Sequence, residues 1–169
     1  SDFVAFVGKN PQYESALVEA TTLAGDTKTS KSFVEIAQYY LSKGDKNKAL
    51  EYYEQALALE GDDFGVLRNI LLLHIDLMQY DEAALKSKKA LDKYPSMPIL
   101  YLINGVALNK LRRAEEAVSV LEAGLDYIID DTKMEIDFYN QLSVTYTLLN
   151  NELKAKAFSD KAKKLENPN

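Results

Sequence analysis

Apolar residues recur along the chain at the spacing of a helix. Phe33, Ile36, Ala37 and Tyr40 stand three and four residues apart, and later segments repeat this arrangement. Such spacing places apolar side chains on one face of an α-helix, whereas the alternation typical of strands is almost missing. The pattern predicts an all-α protein, with helices near residues 11–24, 30–43, 46–59, 63–76, 80–93, 97–110, 114–127, 134–149 and 152–165.

Small residues recur at a longer period. Ala49, Ala83 and Ala117 are spaced 34 residues apart, and Ala155 follows after 38, so that the last unit carries an insertion of four. Another small residue lies two helical turns beyond each of them. Small side chains at this spacing allow two helices to pack closely. A helix pair cannot cover its own apolar face, so the repeat predicts stacked pairs.

The period and pattern resemble those of the tetratricopeptide-repeat family over residues 32–167. Departures are Leu71 in place of Gly, His74 in place of Tyr, and Asn104 at an apolar site. The matching residues are Phe33, Ile36, Ala37, Tyr40, Ala49, Tyr53, Ala56, Leu67, Ile70, Ala83, Ala90, Pro95, Tyr101, Gly105, Leu108, Ala117, Gly124, Tyr139, Leu142, Ser143, Tyr146, Ala155 and Ala162.

The resemblance implies a right-handed superhelix of stacked antiparallel helix pairs. We expect units at 32–63, 64–97, 98–131 and 132–169, the last with the insertion, after a partial unit or N-terminal cap at 1–31. Both ends resemble interrupted units, which predicts a piece of a longer bacterial multi-repeat protein. Phe3, Val4, Phe6 and Val7 would then lack a preceding neighbour, so we expect a homodimer through exposed ends of the solenoid.

Composition restricts the function classes. With 20 Lys+Arg, 26 Asp+Glu and a net charge of -6, the chain has the balance of a soluble globular protein. No apolar run approaches the length that crosses a bilayer, so we expect no direct membrane insertion. The absence of cysteine excludes disulfides, thiolate zinc sites and cysteine nucleophiles. The compartment stays open between the cytoplasm and the cell envelope, to which similar bacterial proteins are exported.

Candidate chemical groups have structural interpretations. His74 is the only histidine, and it occupies a packing site that the family usually gives to Tyr. The pairs Asp62–Asp63 and Asp130–Asp131 precede predicted helices, where capping is favoured over calcium binding or acid–base work. Nucleotide and nucleophile-elbow motifs are missing from the sequence. We therefore expect no enzyme activity, no cofactor and no metal, with catalysis left as the weaker alternative.

Lysine clusters, such as the segment at 86–93, raise the alternative of phosphate contact. Acidic residues interleave with them and the net charge is negative, which favours solvated helix faces. We expect no nucleic-acid partner.

First helices line the inner face in the family that this chain resembles. The leading hypothesis is a non-enzymatic scaffold that holds a peptide or protein segment of unknown identity in the concave groove. The alternative is a structural spacer or oligomerisation segment of a larger bacterial envelope protein, with no groove ligand. The residues expected to face the groove are Glu35, Gln38, Arg68, Asn69, Leu72, Ile103, Val106, Asn140, Gln141 and Val144.

Some family members grip acidic chaperone tails through a clamp of Lys, Asn and Arg. The matching positions here are Val34, Gln38, Asn69, Ile99 and Ile103, of which only Asn69 fits. We therefore do not expect chaperone-tail binding.

Overall fold

The computed structural model describes residues 29–167. Eight α-helices and no strand occur among these residues, which confirms the all-α prediction and eight of the nine expected helices. The helix expected near 11–24 and the residues Phe3, Val4, Phe6 and Val7 lie outside the described part. The helices are α1 Ser30–Ser42, α2 Lys46–Leu59, α3 Phe64–Asp76, α4 Tyr80–Lys93, α5 Pro98–Lys110, α6 Ala114–Leu125, α7 Thr132–Leu148 and α8 Glu152–Glu166.

The chain divides into two compact units, Ser1–Leu73 and His74–Asn169. In the first unit, α1 packs against α2. In the second unit, α4, α5, α6 and α7 each pack against the next helix, and α5 also contacts α7. Helices of the second unit therefore stack in sequence order, with consecutive first helices of the repeats side by side. The expected boundaries of the individual repeats stay a prediction.

The turn inside each helix pair has the same backbone geometry in all four cases. One residue has a positive φ, and the N–H of the following residue donates to the carbonyl five positions earlier, as in a Schellman motif. This geometry recurs at the repeat period, so the turns obey the same repeat as the buried small residues. The positive-φ residues are Gly44, Met78, Arg112 and Asn150.

Acidic side chains cap the helices as expected. The Asp63 Oδ1 accepts a hydrogen bond from the Val66 N–H at 3.0 Å. The Asp131 Oδ1 accepts one from the Met134 N–H at 2.9 Å. Each carboxylate satisfies a backbone donor that the first turn of a helix leaves unpaired. Capping is thus confirmed for Asp63 and Asp131.

The small residues of the repeat lie where helices approach most closely. Ala49, Ala83 and Ala117 are fully buried. Gly105 faces Leu121 so closely that a Cβ atom on Gly105 would overlap the Leu121 Cγ and Cδ2 atoms. The packing confirms the interpretation that small side chains allow the close approach of helices.

Candidate functional site

The predicted face in the first unit is partly accessible. Arg68 is exposed, and the Leu72 side chain is 41% exposed. Glu35 and Gln38 line a depression of about 330 Å³ on this unit. Asn69 is half-buried and hydrogen-bonds to the Tyr53 side chain.

Tyr53 shows the effect of that hydrogen bond. Burial raises the pKa of the Tyr53 hydroxyl, and the hydrogen bond from Asn69 lowers it in part. Because its side chain already serves an internal contact, Asn69 is less available to a ligand than the sequence suggested.

In the second unit, fewer of the residues predicted to face the groove are accessible than expected. Asn140 is exposed, Val144 is 47% exposed and Val106 is half-buried. Ile103 is only 3% exposed, so its expected place on the accessible face is wrong. The side chain lies in the interior, because the face of α5 that packs against neighbouring helices is wider than an idealised first-helix pattern assumes. We call the accessible set Val106, Asn140 and Val144 the first-helix face of this unit.

Gln141 participates in a polar link between α5 and α7. The Asn109 Nδ2 donates to the backbone carbonyl and to the Oε1 of Gln141, both at 3.2 Å. The Thr145 hydroxyl lies 2.8 Å from the Asn109 Oδ1 and 2.8 Å from the Gln141 carbonyl oxygen. Asn109 and Thr145 are buried. The network therefore holds two first helices together, a role that sequence reasoning did not assign to Gln141.

In each helix pair, one side chain of the first helix contacts one side chain of the second helix at an equivalent position. The residue types at this position differ between repeats. In the first unit it holds stacked rings of Tyr40 and Tyr52, with centroids 5.5 Å apart. At the last pair it holds stacked rings of Tyr146 and Phe158, with centroids 5.6 Å apart. The positions that correspond by the repeat spacing hold His74 and Lys86 in one pair and Leu108 and Val120 in another.

His74 fills this position through hydrogen bonds. Its Nδ1 lies 2.7 Å from the Gln79 Oε1, and its Nε2 lies 2.9 Å from the Lys86 Nζ. The amide oxygen can only accept and the ammonium can only donate, so Nδ1 carries the proton and Nε2 accepts. His74 is buried, which agrees with the interpretation as a packing residue.

A groove of about 800 Å³ lies between the second helices α4 and α6, with α5 at its base. Its apolar part includes Leu85, which is 67% exposed, and the short pair Leu108 and Val120. Sequence reasoning missed this second-helix groove. The sequence contains two signals of this groove. Asn104 is a polar residue at a site that is apolar in the family, and it lines the groove. Leu108 and Val120 are aliphatic at positions where two other repeats have aromatic rings.

Charged side chains surround the groove. The Arg113 Nε and Nη2 donate to the two carboxylate oxygens of Glu116, at 2.7 and 2.8 Å. This hydrogen bonding lowers the pKa of Glu116, and the charges of Arg113 and Lys88 lower it further. The same contact raises the pKa of Arg113, with a smaller contribution from the charge of Asp81. Lys88 and Asp81 on α4 therefore face the charged pair at the start of α6.

The described residues contain neither a candidate metal site nor a helix suited to span a membrane. Across 29–167, no group of three His, Asp or Glu side chains is placed to hold a metal ion. Among the helices of that range, none combines the length and the apolar character that crossing a membrane requires.

Comparison with known proteins gives one family. A family model described as Tetratricopeptide repeat matches residues 7–138. Among solved structures, MamA AMB-1 is similar over 98% of this chain and 96% of its own, at 20% identity and a TM-score of 0.74. MamA from Desulfovibrio magneticus RS-1 is similar over 98% of this chain and 92% of its own, at 16% identity and a TM-score of 0.76.

A third similar structure is YrrB, described as a TPR protein with an unusual peptide-binding site. It covers 97% of this chain and 83% of its own, at 20% identity and a TM-score of 0.74. A search of curated proteins found no match. At these identities the similarity to solved structures shows the fold.

Proposed function

Because the chain belongs to the tetratricopeptide-repeat family, we propose that it is a non-enzymatic binding module for a peptide or protein segment. One observation carries the proposal. Aliphatic side chains on first helices are accessible beside amides, as Val144 is beside Asn140. An accessible aliphatic side chain beside an amide offers a partner segment both an apolar contact and hydrogen bonds to its backbone.

The residue types suit an extended segment. The Asn140 amide can donate to and accept from a peptide backbone, and Val106 and Val144 can contact apolar side chains. In the first unit, Arg68 and Gln38 offer donors for a carboxylate or a backbone carbonyl. The contacts are shallow and open, so we expect micromolar dissociation constants.

The test begins with peptides selected from a displayed random library on the immobilised protein. Fluorescence anisotropy then gives their dissociation constants for the protein and for Val144→Asp. We expect Val144→Asp to weaken binding at least about tenfold, because it places a charge at the apolar contact. The matched control is Leu153→Asp on α8, where the side chain is 87% exposed, and this variant should bind like the unchanged protein.

The spacer hypothesis makes the opposite prediction. No peptide would be enriched above an unrelated helical protein, or Val144→Asp and Leu153→Asp would alter binding equally. Either result would reject the first-helix face as the binding surface. Arg68→Ala adds a probe of the first unit, and it is preferable to a change at Asn69, which also removes the hydrogen bond to Tyr53.

A further inference from the structure

The second-helix groove lies where one repeat lacks the pair of aromatic rings that two other repeats contain. Stacked rings fill the contact position in the pairs Tyr40–Tyr52 and Tyr146–Phe158. The corresponding Leu108 and Val120 are shorter, and both line the groove. Together they line an apolar recess, which the exposed Leu85 extends. A volume of about 800 Å³ is within the range of sites that bind small molecules or single side chains.

Asn104 supplies a hydrogen-bond acceptor at this recess. The residue is 4% exposed, and its Nδ2 donates to the Ala84 carbonyl and to the Ser87 Oγ, both at 2.8 Å. The Ala84 carbonyl can only accept, so the orientation of the amide is determined. The Asn104 Oδ1 is left without a hydrogen-bond partner in the described range 29–167. This oxygen is not among the buried side-chain atoms that lack a partner, so it is accessible from the groove that Asn104 lines. It can therefore accept a hydrogen bond from a ligand that brings a donor.

The charges around the groove favour a basic partner. Arg113 and Glu116 neutralise each other through their bidentate contact, which leaves Asp81 and Glu115 against Lys88 among the charged residues of the lining. The whole chain carries a net charge of -6. Lysine or arginine beside the inserted group would complement this rim and increase the rate of association.

We propose that the second-helix groove is a second binding site, which accepts a tyrosine or tryptophan side chain from a basic segment of a partner protein. The ring occupies the volume that an aromatic pair fills in other repeats. The phenol O–H or indole N–H donates to the Asn104 Oδ1, since such groups find a partner when they are buried. This site uses none of the residues of the first-helix face.

The first test measures small aromatic probes by ¹H–¹⁵N NMR titration. Indole carries the donor, and benzofuran has nearly the same shape without an N–H. Indole should shift the amide signals of Asn104, Leu108 and Val120 and should bind about fivefold more tightly than benzofuran, because only indole can donate a hydrogen bond to the Asn104 Oδ1. Equal affinity of the two probes, or shifts confined to other surfaces, would overturn the proposal.

The second test fills the recess. The double variant Leu108→Tyr with Val120→Phe restores the pair that Tyr146 and Phe158 form elsewhere in the chain. It should keep its helical circular dichroism and lose indole binding at least tenfold. Leu85→Lys is a second variant that does not depend on repacking, because Leu85 is exposed, and it should also weaken binding. Undiminished indole binding by Leu85→Lys would contradict the proposed recess.

The third test addresses the partner class. A short peptide with tryptophan between lysines should bind more tightly than one with tryptophan between glutamates. The reverse order, or binding of indole without binding of either peptide, would contradict a basic partner segment. Val144→Asp should leave all these measurements unchanged, so a failure here is distinguishable from a failure of the first-helix face.

Discussion

Single residues set the distances between helices in this protein. Gly105 on α5 lies against Leu121 of α6, which is fully buried. The position shows why a residue that disfavours helices occupies the interior of one. The gain in close packing outweighs the conformational cost of glycine.

Gly105→Ala should therefore destabilise the protein although alanine favours helices by about 1 kcal/mol. We expect a net loss of about 1 to 3 kcal/mol, because the new methyl group overlaps Leu121. Urea denaturation followed by circular dichroism measures the change.

Gly61→Ala is the matched control. Gly61 is exposed, and an added Cβ would meet only the Leu57 carbonyl oxygen at 3.9 Å. This change should stay within about 0.5 kcal/mol of the unchanged protein. Equal effects of the two substitutions would contradict the account of Gly105.

At the scale of elements, the helices are joined by repeated turns and by a few buried polar links. Each helix pair turns through one positive-φ residue, whether Gly44 or a larger residue such as Met78. Between α5 and α7, the link through Asn109, Gln141 and Thr145 joins two first helices directly. Buried links of this kind contribute most when every member is satisfied.

Thr145→Val tests this link because valine keeps the shape and removes the hydroxyl. The Asn109 Oδ1 then loses its donor in a buried place, and we expect a destabilisation of about 1 to 3 kcal/mol. Thermal unfolding followed by circular dichroism gives the comparison.

Thr147→Val on the same helix is the control. Its exposed hydroxyl hydrogen-bonds only to the Ser143 carbonyl within α7. The control should unfold close to the unchanged protein. A Thr145→Val variant as stable as the control would show that the link contributes little.

At the scale of the whole molecule, stability should be distributed, because stacked repeats contact mainly their neighbours. In the second unit, α6 packs against α5 and α7, and α7 packs against α8. Removal of the last two helices takes Phe138 and Leu142 from the cluster that covers Leu121.

A chain that ends at residue 131 should therefore retain most of its remaining helical signal in circular dichroism. It should also self-associate in light scattering, because Leu121 loses its cover and an apolar face becomes accessible. Loss of the entire helical signal would contradict the nearest-neighbour account. A shorter truncation after residue 150, which removes α8 alone, should have a smaller effect on both measurements.

The sequence by itself determined the helices and the repeat. These features depend on local spacing, so Ala49, Ala83 and Ala117 were sufficient to predict where helices pack closely. Capping by Asp63 and Asp131 could also be predicted from the sequence, because it involves residues only three positions apart. Local periodicity carries this information because the helix itself brings such residues together.

Only the tertiary structure decided which side chains are available to a partner. Ile103 is buried, Asn69 hydrogen-bonds to Tyr53, and Gln141 is held by Asn109. The second-helix groove is likewise lined by residues of three separate helices, α4, α5 and α6. Availability depends on contacts between residues distant in the chain, and the period of a helix does not specify those contacts.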